Sequence, residues 1–236
     1  MATAILLPGL RKNRPLRDDM TSLEVLILTA FALVIVFAAL PYVVNTLYAS
    51  MAPLEYRTAS AYVLAFADSL EADFGMVGAK KFFQLPNFVY GSFGAANRTD
   101  VVELRCGQTY RLVWMSFRLW YNSTYLIGAP RMLRGLRGGL VAEPGDALIA
   151  VNATERGVVA YPRLSLVVGR GETYLYIMNV TVVASRSGFS YLSYDIQGIS
   201  TPISYGACQS VVVNGVAYPV SGTLYVVVNN AQVVLR

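Results

Sequence analysis

Residues 25–44, VLILTAFALVIVFAALPYVV, run for twenty positions without a charge. At about 1.5 Å of rise per residue, a helix of that length spans about 30 Å, the depth of a bilayer's hydrocarbon core. Lipid offers backbone N–H and C=O groups no partner, so a run this apolar has to satisfy them internally, as a helix does. The segment predicts a single-pass membrane protein. Arg11, Lys12, Arg14 and Arg17 precede it, and flanking cations keep their side of the helix in the cytoplasm. Residues 1–19 are then a basic cytoplasmic leader, and residues 76–236 an extracytoplasmic domain. The apolar residues 5–7 are too few for the core of a secretory signal peptide.

The helical pattern continues past Val44. Leu47, Met51, Leu54, Tyr62, Phe66 and Leu70 recur at spacings of three, four or eight, with Glu55, Arg57, Asp68 and Glu71 between them. The spacing predicts one helix over 20–75, transmembrane at 25–44 and amphipathic beyond. Pro41 and Pro53 each remove a backbone donor and are expected to kink it, and Gly75 and Gly78 to end it.

From Lys80 onward the pattern changes to short β-branched and aromatic runs separated by turn residues. It predicts strands over 82–93, 101–106, 110–120, 139–142, 147–152, 157–160, 164–168, 173–184, 191–196, 210–213, 216–220, 223–228 and 232–235. Asn214-Gly215 between two apolar runs is the strongest hairpin signal, and Asn229-Asn230 a weaker one. The expected fold class is α+β: a long N-terminal helix followed by a mainly antiparallel, β-sandwich-like domain.

Residue chemistry narrows the functions. The chain has no histidine, which removes His-based triads, His metal sites and imidazole switching. Its two cysteines, Cys106 and Cys208, cannot form a four-cysteine zinc site, and in an oxidising compartment one bridge is the natural expectation, against two buried thiols. Four sequons, at Asn97, Asn122, Asn152 and Asn179, fall on the outer side and mark candidate glycosylation sites. Net charge is +5, part of it next to the helix, so nucleic-acid binding is not expected. Arg131, Arg134 and Arg137 read as a solvated loop, or as a one-turn helix making ion pairs between subunits, rather than as an anion site. Trp114, Phe117, Trp120 and Tyr121 read as core or as a subunit contact. The acids show no paired-carboxylate or metal-loop spacing, and no cofactor is expected. Ser50-Met51-Ala52-Pro53 resembles the serine box of type I signal peptidases. Lys80 and Lys81 are the only lysines after it, and Gly145-Asp146 lies far from that family's next box. A serine without an activating base is a poor nucleophile, so no enzyme is expected.

The start of the helix carries a second resemblance. Met20, Thr21, Ser22, Leu23, Glu24 and Val25, followed by Leu40-Pro41-Tyr42 with Pro41 seventeen positions after Glu24, resemble the N-terminus of type IV pilins and pseudopilins. Asp19 stands where members carry glycine or another small residue. The resemblance covers about thirty residues. It implies cleavage between Asp19 and Met20 by a prepilin peptidase, and an assembly platform. It also implies polymerisation with copies of the chain or other pilin-like subunits, Glu24 meeting the new amine of Met20. The resulting expectation is a major or minor subunit of a surface filament. The alternative is a signal-anchored surface protein whose β-domain binds a ligand and never polymerises.

Overall fold

The computed structural model describes residues 22–136, 138–183 and 186–236. A single helix, α1 (Ser22–Ala72), opens the described chain. The chain divides into two compact units, the first ending at Asn45 and the second comprising Thr46–Arg236.

In the first unit α1 is apolar on every side, and no side chain from Glu24 to Val43 is buried. The helix continues through Pro41, and through Pro53 in the second unit. After its last turn Gly75, at φ 91°, takes the left-handed conformation that ends a helix without a Cβ penalty.

The second unit is a β-rich domain, mostly antiparallel. Its strands are β1 (Lys80–Gln84), β2 (Gly91–Cys106), β3 (Gln108–Ser123), β4 (Arg131–Arg134), β5 (Val141–Ala142), β6 (Ile149–Thr154), β7 (Gly157–Pro162) and β8 (Leu164–Val168), then β9 (Glu172–Val183), β10 (Arg186–Ser187), β11 (Tyr191–Ile199), β12 (Ile203–Tyr205), β13 (Ser210–Val213), β14 (Val216–Pro219) and β15 (Thr223–Leu235). One sheet runs β1-β11-β15-β9-β8-β5, with β12 also on β15; the other runs β14-β13-β2-β3-β7-β6-β4, with β10 also on β2. Two pairings, β9 with β15 and β5 with β8, are parallel.

Two apolar clusters fill the domain. One joins Val63, Phe66 and Leu70 of α1 to Phe117 and Tyr121 of β3, Val180 of β9 and Tyr194 of β11. Phe66 meets the rings of Phe83, Phe117 and Tyr194 edge-on, with centroids 5.6–5.9 Å apart, the arrangement that aromatic quadrupoles favour. The other surrounds the disulfide between Cys106 and Cys208, with Leu104, Trp114, Leu164 and Leu224.

Several expectations change. The segment 94–100, read as a break, is strand: β2 and β3 form one hairpin paired from Gly91↔Ser123 to Cys106↔Gln108. Gly94 permits it, because a Cβ there would stand 2.3 Å from the Trp120 ring. Asn229-Asn230 makes no turn. It lies inside β15, where the parallel partner β9 holds an unbroken register from Glu172 to Val183. Asn229 is 1% exposed, and the Asn230 side chain accepts a bond from Asn179 Nδ2. The strands β4, β10 and β12 were not expected, and 139–142 shortens to β5. Asn214-Gly215 does turn the β13–β14 hairpin, both residues at positive φ as that turn requires. Leu47, Met51 and Leu54 are about half exposed or more; the buried stripe of α1 runs instead through Ala52, Ala59, Val63, Phe66 and Leu70.

Candidate functional site

The first element of interest is the apolar half of α1. Thr29 lies near the start of its uncharged run, and its Oγ1 donates to the carbonyl oxygens of Val25 (2.7 Å) and Leu26 (3.0 Å). Bonding back to the preceding turn leaves no hydroxyl in need of water. Glu24 lies in the first turn, where a carboxylate is favoured by the helix dipole. Pro41 lies within the helix near the end of the run. The expected cleavage point, Asp19 and Met20, lies outside the described residues.

The second element is the half of α1 that belongs to the β-domain. Its carboxylates clamp strands and loops. Glu55 accepts from the Val89 N–H (2.7 Å), the Tyr90 N–H (3.0 Å) and the buried Tyr121 hydroxyl (2.5 Å). Burial, with the Glu55 carboxylate beside it, pushes the Tyr121 phenol well above its ordinary value. Tyr48, about two helical turns before Glu55, packs its ring on Tyr90 (5.2 Å) and Tyr125 (5.0 Å).

Further along, Glu71 accepts from the Leu148 N–H (2.8 Å), the Ile149 N–H (3.1 Å) and Arg134 Nη1 (2.7 Å), while Arg134 Nε reaches Asp68 (2.7 Å). Burial alone would lower the Arg134 pKa, but its bonds to Glu71 and Asp68 outweigh that and raise it. Just past the helix, Asp73 accepts from the Tyr194 hydroxyl (2.5 Å) and Lys81 (3.2 Å). The Tyr194 bond holds the Asp73 carboxyl below the usual range despite burial. A fourth clamp lies within the β-domain. Arg163 and Asp146, 1% and 2% exposed, form a 2.8 Å ion pair, and Asp146 also accepts from the Leu136 and Ala147 N–H groups.

These partners give the sequence-predicted residues their places. Arg134 is neither loop nor ligand site but a strand residue pinned to α1; Arg131 is exposed on the same strand and Arg137 lies outside the described residues. Ser50 Oγ donates to the Leu47 carbonyl oxygen (2.7 Å), and the lysines pair with Asp195 and Asp73. Cys106 and Cys208 are bridged. Among the sequon asparagines, Asn97 spans to β9, donating to the Val182 carbonyl (2.9 Å) and accepting its N–H (2.6 Å). Asn179 accepts from the Met115 N–H (3.1 Å) and donates to Asn230 (2.8 Å). Asn152 donates to the Tyr161 hydroxyl (3.2 Å), and Asn122 is exposed near the end of β3. Trp114 and Tyr121 are core. Sequence reasoning passed over the clamps at Glu55, Asp73 and Asp146. Glu55 had one visible cue: it falls three residues after Ala52 and four before Ala59, on the face that buries.

No family model, curated protein or solved structure matches the chain.

Proposed function

We propose that the chain is a structural subunit, major or minor, of a type IV pilus-like surface filament. The observation that carries the reading is the division of labour along α1. Its first half is apolar all round with an acid in its first turn, and its second half is clamped into a β-domain by Glu55 and Glu71. The helix dipole favours a first-turn carboxylate in a plain anchor too, but a stem that leaves lipid to pack beside other stems gives it a further use, because Glu24 can set register against a neighbour's Met20 amine. In the membrane the chain is a single-pass protein with its N-terminus cytoplasmic and its β-domain outside. The Cys106–Cys208 bridge supports an oxidising compartment. On assembly the stems form the filament core and the two sheets, layered as a sandwich, face outward. A prepilin peptidase and an assembly platform are the partners this reading needs.

Glu24→Gln tests it. The variant is expected to insert into membrane as the parent does, while surface filaments seen by electron microscopy are lost or reduced several-fold. Normal filaments in that variant defeat the proposed role. N-terminal sequencing separates the alternative: a mature chain starting at Met20 fits the filament subunit, and retention of residues 1–19 on a chain that stays solitary fits a signal-anchored binding protein.

A further inference from the structure

The outer face of the β2-β3-β7-β6 sheet holds a cavity of about 650 Å³. Its position follows from the register. Ala96 on β2 faces Arg118 on β3, and Asn152 on β6 faces Val159 on β7. Arg118 is exposed between buried Phe117 and Leu119, so the alternation of the strand turns it outward. Arg98 stands on the neighbouring strand and Arg156 in the β6–β7 turn, both lining the cavity, against one acid, Glu155.

The three arginines are not equivalent. Arg98 is held at 2.8 Å by Asp100. Arg118 and Arg156 have no carboxylate partner among the described residues. Two exposed guanidinium forks at one cavity suit bidentate recognition of planar anions. Tyr161, bonded to Asn152, and Thr154 add hydroxyl and amide groups, and Val159 and Pro130 give an apolar patch.

We infer that this cavity binds an acidic oligosaccharide, one whose sugar rings carry carboxylates. The volume lies within the range of about 300–1,000 Å³ usual for small-molecule sites and exceeds the needs of a lone inorganic anion. A peptide adding itself as a strand needs free backbone groups at a sheet edge. At the cavity, residues 119–122 of β3 and 149–154 of β6 are both paired with β7, so recognition there falls to side chains. A single-stranded nucleic acid needs a run of stacking aromatics, and Tyr161 is the one aromatic lining the cavity. A polyhydroxylated, carboxylated ring matches what remains: forks for the carboxylates, hydroxyl and amide groups for the sugar hydroxyls, and exposed Pro130 for a ring face. Every residue lining the cavity belongs to the second unit, away from the apolar run of α1 in sequence.

Calorimetric titration of the detergent-solubilised full chain with pentagalacturonate tests the inference. One pentasaccharide is expected to bind per chain, with maltopentaose and sodium sulfate at least tenfold weaker. Arg118→Ala and Arg156→Ala together are expected to weaken binding tenfold or more, and Arg118→Gln and Arg156→Gln each several-fold. Arg170→Ala, an exposed arginine in the β8–β9 turn, serves as the unchanged control. Undiminished binding by the double variant overturns the site. So does equal affinity for pentaglutamate or for a dT decamer, or a glycan found on Asn152 by mass spectrometry, which would fill the cavity with the chain's own sugar. Binding retained by Glu24→Gln keeps this result separate from the fate of the filament proposal.

Discussion

Carboxylates on the docked half of α1 hold the β-domain where apolar contact alone would leave donors stranded. Glu55 is the clearest case, because the Tyr121 hydroxyl it receives is on a fully buried side chain. Glu55→Ala leaves that hydroxyl without its acceptor, whereas the Val89 and Tyr90 N–H groups sit nearer to water. The expected loss is about 1–3 kcal/mol, the cost of one orphaned buried donor. Glu55→Gln keeps an acceptor and is expected to lose less. Denaturant unfolding of the detergent-solubilised chain measures both, and Tyr121→Phe in the Glu55→Ala background should recover part of the loss if the hydroxyl is the source. Asp73 and Asp146 predict a pH dependence. Both titrate below the ordinary 3.8 in the fold. The unfolded chain therefore takes up protons first as pH falls, so their stabilisation is complete above about 3.8 and is lost as pH drops through the lower folded values. Thermal midpoints should fall on that acid limb, and Asp146→Asn should flatten it while lowering stability at neutral pH by about 3–5 kcal/mol, because Arg163 is left buried without its charge partner.

Along α1, the buried face is made partly of alanines. Ala59 is 0% exposed and lies in the first apolar cluster, so close approach of helix and sheet depends on its size. Ala59→Leu is expected to destabilise by about 1–3 kcal/mol through overpacking, read by the same unfolding assay, while Leu54→Ala on the exposed side should change stability little. The same alanines explain what the pattern of residues concealed. A search for large apolar side chains finds Leu47, Met51 and Leu54 and puts the stripe on the wrong side of the helix's first docked turns. It succeeds at Phe66 and Leu70, where large side chains do face inward. Strands read well where the signal is local: the β-branched and apolar runs 164–168 and 210–213 match β8 and β13, and Asn214-Gly215 marks the turn after β13. They read badly where a distant partner decides. Asn229-Asn230 has the composition of a turn, yet β9 pairs straight through it. Arg134 has the look of a loop cation until the acids of α1, more than sixty positions away, close on it. Of the candidate site, the apolar run and the cysteine pair were visible in composition and spacing. The cavity was not, because Arg98, Arg118 and Arg156 come together only through strand register.

For the molecule as a whole, the two halves of α1 answer to different surroundings. Among the described residues none before Ala52 is buried, and both apolar clusters draw their buried members from Ala59 onward. The hydrogen bonds of Glu55 and Glu71, the buried Asp146–Arg163 pair and the Cys106–Cys208 bridge also fall after Thr46. Residues 24–43 present side chains such as Phe31 (68% exposed) and Phe37 (69%), which have to be covered by lipid, detergent or another apolar surface. A chain that begins at Thr46 is expected to stay monodisperse in aqueous buffer, to form its disulfide and to unfold cooperatively at a midpoint within a few degrees of the full chain in detergent. Light scattering and a thermal melt measure this. If the shortened chain aggregates with its bridge formed, the exposed docked turns around Leu47 and Leu54 need cover as well, and the boundary of the segment that has to be covered moves past Asn45 into the second half of the helix.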